Sequence, residues 1–584
     1  MPKVARAKKP KVPKEEWSNL QKMRHSASHV LAMAVLKLRP GSKLAIGPPI
    51  EDGFYYDFDL PEPIREEDLP KLEAKIREIV AQDYKFEHLH LSRKEAEKTL
   101  KDQPYKLELL ADIPDDPVSF YKSGDFIDLC IGPHVASTGK IGPIKLLTVA
   151  GAYWKGSEKN RMLTRIYGTA FETQKELDEY LKRQEEAEKR DHRKLGPQLG
   201  LFMFHETAPG MPYWLPKGLV VLNELVNFWR EEHRQRGYHE IKSPLINKRE
   251  LYETSGHWEH YRESMFIADM DEEGVYALKP MNCPNAMVVF GSRPRSYRDL
   301  PLRLSDTDTL HRFERSGTLA GLFRVREFLQ DDAHNFVTED QIKSEYKEIL
   351  AIAERFYSIF GIDYSLRLGT RPKDFMGDPK LWDKAEKELK EILEESGKTY
   401  TILEGDGAFY GPKIDILMQD SLSREWQTGT IQLDFQLPRR FNLKYADKDG
   451  KEKTPAVIHR VIYGSLERFL GILIEHTAGA FPTWLSPIQV VVAPISDRQV
   501  KYGREVTRAF EAAGVRVELD DRNESIGKKI RDSELQKVPY ILVVGDREEK
   551  DKKVAVRQRG KGDLGPVDLK KFTADLAKEI HSRK

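Results

Sequence analysis

Apolar residues recur along this chain at two spacings, helical and alternating, and the change from one to the other marks out its segments. RHSASHVLAMAVLKL predicts a helix, GPPIEDGFYYDF a turn into a strand, and EEDLPKLEAKIREIVAQ an amphipathic helix with apolar residues at helical spacing. KIGPIKLLTVAGAYWKG reads as strands with glycine turns, which completes a compact α+β domain over residues 18–170. ETQKELDEYLKRQEEAEKRDHRKLG has few core positions among its charges and predicts a linker helix over 171–198. From 199 to 485, helices such as PKGLVVLNELVNFWREEHRQRG alternate with the strand runs TYTILEG, KIDILMQD and GTIQLDFQL. These runs lie close together without regular intervening helices, so an antiparallel sheet with flanking helices is expected. Over 486–584 the strands PIQVVVAPI, VRVELDD, VPYILVVGD and KKVAVRQR alternate with helices, the pattern of a small α/β domain. The fold class is therefore α+β and multidomain, as a length of 584 residues requires.

Composition narrows the setting. The net charge of +1 conceals a charged fraction of 32%, so a nucleic-acid face can exist on one domain without showing in the total. The opening MPKVARAKKPKVPKEEW places six Lys/Arg and three prolines before its first acid, which predicts a basic disordered tail over 1–17. Apolar runs are too short for a membrane span, and the start lacks the apolar centre of a signal peptide. Two cysteines, each in its own motif, exclude a disulfide framework and point to a reducing, cytoplasmic setting.

Three clusters carry candidate chemistry. His25 and His29 stand one helical turn apart and can reach one point in space, although such pairs are more often structural. Cys130 and His134, in DLCIGPHVAS, repeat the spacing; Cys283 stands in KPMNCPNAMV with histidines further on. In HRFERSGTLAGLFRVREFLQDDAHNF, Arg312, Arg324 and Arg326 accompany Glu314, and YGSLERFLGIL offers Arg468 at the start of a helix. Arginines supply planar donors for phosphate oxygens, and the chain has no GxxxxGK[ST], so a nucleotide held by side chains is expected.

The arginine-glutamate element and GSLERF resemble motifs two and three of the class II aminoacyl-tRNA synthetases. PLINKRELYETSGHW, with Pro244, resembles motif one, the dimer-forming element. NCPNAM, QDDAHNF, FYGPKIDI, TGTIQLDF and IHRVIYGSLERF narrow the likeness to the threonyl-tRNA synthetases, over nearly the whole chain. The resemblance implies a homodimer that activates L-threonine with ATP, transfers it to tRNA(Thr) and hydrolyses mischarged Ser-tRNA(Thr).

By that resemblance Arg312 holds the α-phosphate of ATP, Glu314 and Phe328 receive the adenine, and Arg324 and Arg468 bind the phosphate tail. Gln427 and Ser465 belong to the same set, and catalysis falls to Arg312, Arg324 and Arg468 with Mg²⁺ carried in by ATP. Cys283, His334 and His459 match the family's zinc ligands, one ion per chain, which takes the amino and hydroxyl groups of threonine. Gln330, Asp332, Tyr410, Lys413 and Gln432 complete that pocket. A site built around the hydroxyl rejects valine by roughly 10⁴ or more, whereas serine lacks only a methyl worth about 1–3 kcal/mol.

Serine therefore calls for a second, hydrolytic site, and HSASH with CIGPH resembles the family's editing domain. There His25, His29, Cys130 and His134 surround the ester, with Tyr56, Lys106 and Asp128 nearby. His25 or His29 acts on water, and Lys106 and Asp128 orient ester and ribose. Spacing alone also makes the four a tetrahedral zinc set, whereas the resemblance implies hydrolysis without metal. Glu548 and Arg557 match positions that read the anticodon in the C-terminal α/β domain. Many members begin with a further small β-rich domain, where this sequence has only its basic tail, so what that domain adds to tRNA binding is expected to be absent and editing to be less efficient.

Overall fold

The structure, a computed structural model, describes residues 17–583, so the expected basic tail over 1–17 lies outside the described residues except for Trp17. The chain forms two compact units that part between Glu185 and Glu186.

In the first unit, the helix Asn19–Leu38 begins at a reciprocal cap: Ser18 Oγ accepts from the Gln21 amide at 3.2 Å and Gln21 Oε1 from the Ser18 amide at 2.8 Å. Every residue from Met23 to Val35 is buried, so both histidines of the helix lie inside. Ala27, Leu31 and Ala34 share a core with Phe54, Tyr56 and Phe58 of the strand Gly53–Asp59. That strand pairs antiparallel with Met162–Ala170, which pairs with Ile144–Tyr153. KIGPIKLLTVAGAYWKG thus forms one ten-residue strand, with a register shift between Leu146 and Thr148 in place of a glycine turn. A second antiparallel sheet joins Glu87–Leu91, Val118–Ser123 and Phe126–Leu129.

The expected linker is two helices, Gln174–Arg190 and His192–Gln198. Asp191 breaks it: its backbone is not helical and its carboxylate accepts from the Arg193 amide at 2.8 Å, starting the second helix.

The second unit is built on a nine-stranded sheet. Its centre runs Leu302–Asp306, Glu327–Val337, Ala456–Ser465, Glu425–Asp434, Lys413–Gln419 and Tyr364–Gly369, all antiparallel. Only the outermost pairs, His239–Glu240 and Tyr400–Leu403, run parallel to their neighbours. Helices Pro216–Gln235, Ile342–Ser358 and Leu466–Thr477 bury Phe228, Trp229, Tyr346, Phe356 and Phe469 into one core with the strand residues Ile414, Ile458 and Ile462. A five-stranded sheet follows, in order Val517–Leu519, Val490–Pro494, Tyr540–Val544, Lys553–Gln558, Gly562–Asp568. Its first three strands are parallel and its last two antiparallel, and Gly562–Asp568 has no counterpart in the sequence reading.

Candidate functional site

Strand register assembles the first site. His334, His459, Gln432 and Lys413 are successive partners across four neighbouring strands, so their side chains rise from one face of the sheet. Cys283 approaches from above, as the first residue of the helix Cys283–Phe290. The ligating atoms of Cys283, His334 and His459 lie within 4.8 Å of one another, and all three residues are buried. His334 Nδ1 has no hydrogen-bond partner among the described residues, and His459 Nε2 lies 2.9 Å from Asp434 Oδ2. Burial, with His459 and Arg460, holds the His334 pKa well below its ordinary value, so the ring is neutral. Burial, with Asp332 and Asp434, pushes the Cys283 thiol up, so a metal ion displaces its proton on binding. One thiolate and two imidazoles suit zinc and leave a coordination position for another ligand.

The triad forms one end of a cavity of about 500 Å³. Gln330, Asp332, Tyr410 and Gln432 line the same end, with Tyr410 OH donating to Gln432 Oε1 and Asn282 Nδ2 donating to Asp332 at 3.3 Å. Burial raises the Asp332 pKa, and the Tyr410 phenol stays protonated for the same reason.

Arg312, Glu314, Arg324, Phe328, Gln427, Ser465 and Arg468 line the rest. Arg312 lies over the Phe328 ring at 5.0 Å, and Arg324 pairs with Glu314 at 2.8 Å. Ser465 caps the helix that carries Arg468, which donates from Nε to the Phe323 carbonyl at 2.9 Å. Burial together with Arg324 and Arg312 lowers the Arg468 pKa. Three guanidinium groups matched by one carboxylate make a pocket for a polyanion.

Lys413 is the exception among the sequence-predicted residues of this site. It starts on the row of Gln432, yet its ammonium is held by Asp415 at 2.9 Å and Asp406 at 3.0 Å, outside the cavity lining. Sequence reading missed Asp434 behind His459 and Asn282 behind Asp332, because neither spacing nor composition marks a residue that acts through another. It also missed Asp331, which is buried and accepts from the amides of Ile462, Tyr463 and Gly464, fixing the strand that carries His459 and Ser465.

In the first unit all seven residues predicted for the second site come together. The ligating atoms of His25, His29, Cys130 and His134 lie within 4.8 Å of one another. Cys130 Sγ is 3.5 Å from His25 Nε2 and 3.4 Å from His134 Nε2, and Ser26 Oγ meets His134 Nδ1 at 3.1 Å. Asp128 anchors the floor: Lys106 Nζ stands 2.6 Å from Oδ1, and Tyr56 OH donates to Oδ2 at 2.7 Å. Burial, then His134, His25 and Lys106, holds the His29 pKa far below its ordinary value, so the ring is neutral.

A third metal-compatible group, Asp191, His192 and Glu475, is a hydrogen-bonded lock. His192 Nδ1 donates to Glu475 at 2.7 Å and Nε2 accepts from the Leu322 amide at 2.9 Å, so both ring nitrogens are taken. In the last sheet, Glu548 caps its own helix through the Gly545 amide at 3.0 Å, and Arg557 lies 3.9 Å from Glu534 and 3.8 Å from Asp563.

A mostly antiparallel sheet bearing an arginine-lined polyanion pocket and a helix whose start feeds an arginine into it defines a class II aminoacyl-tRNA synthetase core. Residues 265–477 match the family "tRNA synthetase class II core domain (G, H, P, S and T)", 489–579 an anticodon binding domain, and 118–167 the "Threonyl and Alanyl tRNA synthetase second additional domain". A threonine--tRNA ligase of Acetivibrio thermocellus is 54% identical over 96% of this chain and 88% of its own. One of Clostridioides difficile is 53% identical over 97% of this chain and 89% of its own. A crystal structure titled as the RNA binding domain of threonyl-tRNA synthetase from Cryptosporidium parvum covers 67% of this chain and 98% of its own, at 44% identity and a TM-score of 0.65. The chain belongs to the threonine--tRNA ligase family. It joins threonine to tRNA(Thr) at the expense of ATP and carries the domain that edits mischarged Ser-tRNA(Thr). Among the described residues no helix is long and apolar enough to cross a membrane.

Proposed function

We propose that the roles in synthesis divide along the single cavity: recognition of threonine at the Cys283–His334–His459 end and phosphoryl chemistry at the arginine end. The observation that carries this reading is the meeting of both residue sets on one cavity lining. A carboxylate oxygen of threonine attacks the α-phosphorus of ATP, the bond to the β-phosphate oxygen breaks, and pyrophosphate leaves. Arg312 neutralises charge on the α-phosphate, Arg324 and Arg468 hold the departing phosphates, and Phe328 and Glu314 seat the adenine. A tRNA ribose hydroxyl then attacks the activated carbonyl and AMP leaves.

Cys283, His334 and His459 would hold zinc, which would supply a Lewis-acidic position for the amino and hydroxyl groups of threonine. Gln330, Asp332, Tyr410 and Gln432 enclose the rest of the side chain. Lys413 is paired with Asp415 and Asp406, and Asp415 accepts at 3.1 Å from Thr430 Oγ1, which lines the cavity.

His25 or His29, with Cys130 and His134, acts on the water that cleaves the seryl ester, while Lys106 and Asp128 orient ester and ribose. Glu548 and Arg557 read anticodon bases. Dimerisation through the segment around Pro244 is supported by the exposure of Leu245, Ile246, Ile267 and Met270, apolar residues that a partner surface would cover. Residues 18–170, 199–485 and 486–584 serve as editing, catalytic and anticodon domains, in the cytoplasm.

Amino-acid-dependent ATP–pyrophosphate exchange with threonine, serine and valine tests the synthetic reading. Strong exchange with threonine, less with serine and almost none with valine is expected. Absence of exchange from folded protein with one zinc per chain would overturn it.

A further inference from the structure

Exposure changes in steps along one line of the small sheet of the first unit. His88, Tyr121 and Asp128 are successive partners across its three strands, so their side chains share a face. His88 is exposed, Tyr121 half-buried and Asp128 buried. The opposite face, with Leu89, Phe120 and Leu129, packs into an apolar core.

The inner end of this line is the histidine quartet. Asp128 carries Lys106 and Tyr56, and the Tyr121 ring lies 4.5 Å from that of His134. The outer end is a surface of rings: His88 stacks on Tyr121 at 4.7 Å and 11°, and His90, two residues along the same face, lies 4.4 Å from His88. Ser119 Oγ donates to the Cys130 carbonyl at 2.7 Å, so at 2.8 Å it accepts from His88 Nε2, which fixes that ring's orientation and tautomer. Partial burial and His90 lower the His88 pKa, so its ring is uncharged at neutral pH. Next to Cys130, Ile131 is 68% exposed.

We propose that the ring surface of His90, His88 and Tyr121 seats the unpaired nucleotides just before the 3′ end of tRNA, while the terminal aminoacyl-adenosine enters the quartet. The inference rests on reading the quartet as the editing centre. An ester on the last ribose reaches a buried site only if the preceding nucleotides run over the surface beside it. Unpaired bases are held there by stacking on aromatic and histidine rings, without demand on sequence. The line from His88 to Asp128 supplies such rings up to the mouth of the site, and Ile131 adds apolar surface.

The test compares hydrolysis of Ser-tRNA(Thr) with that of 3′-O-seryladenosine, which carries the ester without the preceding nucleotides. For His88→Ala in the full chain, kcat/KM on the tRNA is expected to fall about tenfold further than on the short ester, through KM. His88→Phe, which keeps a ring but cannot bond to Ser119, is expected to recover most of the loss. Equal losses on both substrates would show that His88 only supports the quartet, and an undiminished rate on the tRNA would show that no base rests there; either result overturns the proposal. If the unsubstituted chain hydrolyses neither substrate, the editing reading fails first and takes this one with it.

Discussion

Asp434 and His459, both buried, are joined by a hydrogen bond of 2.9 Å from imidazole Nε2 to carboxylate. The carboxylate only accepts, so Nε2 carries the proton and Nδ1 keeps the lone pair that a metal needs. In Asp434→Asn the amide can present an N–H to that nitrogen and favour the opposite tautomer. Zinc affinity is expected to drop about 10- to 100-fold, read by competition with a chelator. Unchanged retention would separate Asp434 from the metal.

Arg468 is half-buried beside the like charges of Arg324 and Arg312, and Glu314 offsets part of that repulsion. Replacing it with leucine removes that repulsion together with the grip on phosphate. ATP–pyrophosphate exchange is expected to fall by about 10²–10³ while the melting temperature holds or rises. A variant that both melts lower and retains exchange contradicts the assignment.

Lys106 and Asp128 form a buried pair at 2.6 Å. Lys106→Met leaves the carboxylate without its cation, a change expected to cost about 3–5 kcal/mol of stability and to abolish deacylation of Ser-tRNA. Adding Asp128→Asn should restore much of the stability and none of the activity. Calorimetry beside a deacylation assay separates the two effects, and a single variant as stable as the parent would show the pair to be dispensable to the fold.

Burial pushes the Glu467 carboxyl up to about 8, against an ordinary value of 4.5 in the unfolded chain. Between those values the folded state keeps a proton that the unfolded state releases, so stability is whole below about pH 4.5 and declines as pH rises through 8. Glu467→Gln is expected to flatten that decline by up to about 1.4 kcal/mol per pH unit. Parallel denaturation curves for parent and variant between pH 5 and 8 would exclude a neutral Glu467 (~2.303RT per proton released).

Periodicity revealed the elements whose apolar residues recur at one regular spacing. The helix around His25 and the alternation of the last hundred residues stand where their patterns put them. It did not reveal the break at Asp191, because a capping side chain in a charge-rich run leaves no apolar signature. Gly562–Asp568 was hidden too: an exposed edge strand containing glycine and proline has no alternation to read. Strands carry Gln330, His334, Gln432 and His459, named from motif likeness, to one cavity lining, and loops and helices bring Arg312, Arg324, Cys283 and Arg468 to it. Lys413 lies apart from that lining, since its partners Asp406 and Asp415 decide where a flexible ammonium ends. Asp434, Asn282 and Asp331 lie behind the cavity lining and could be found only in three dimensions.

The row His334, His459, Gln432 also has a meaning for assembly of the protein. Each residue comes from a different strand, and slipping any one strand by a single position would exchange it for a neighbour that faces the other side: Asn335 or Ala333, Arg460 or Ile458, Leu433 or Ile431. A chain with mispaired strands therefore cannot gather the thiol and both imidazoles. In the proposed zinc site, metal uptake would then report on each molecule that its central sheet has closed in the one alignment that also builds the cavity beside it.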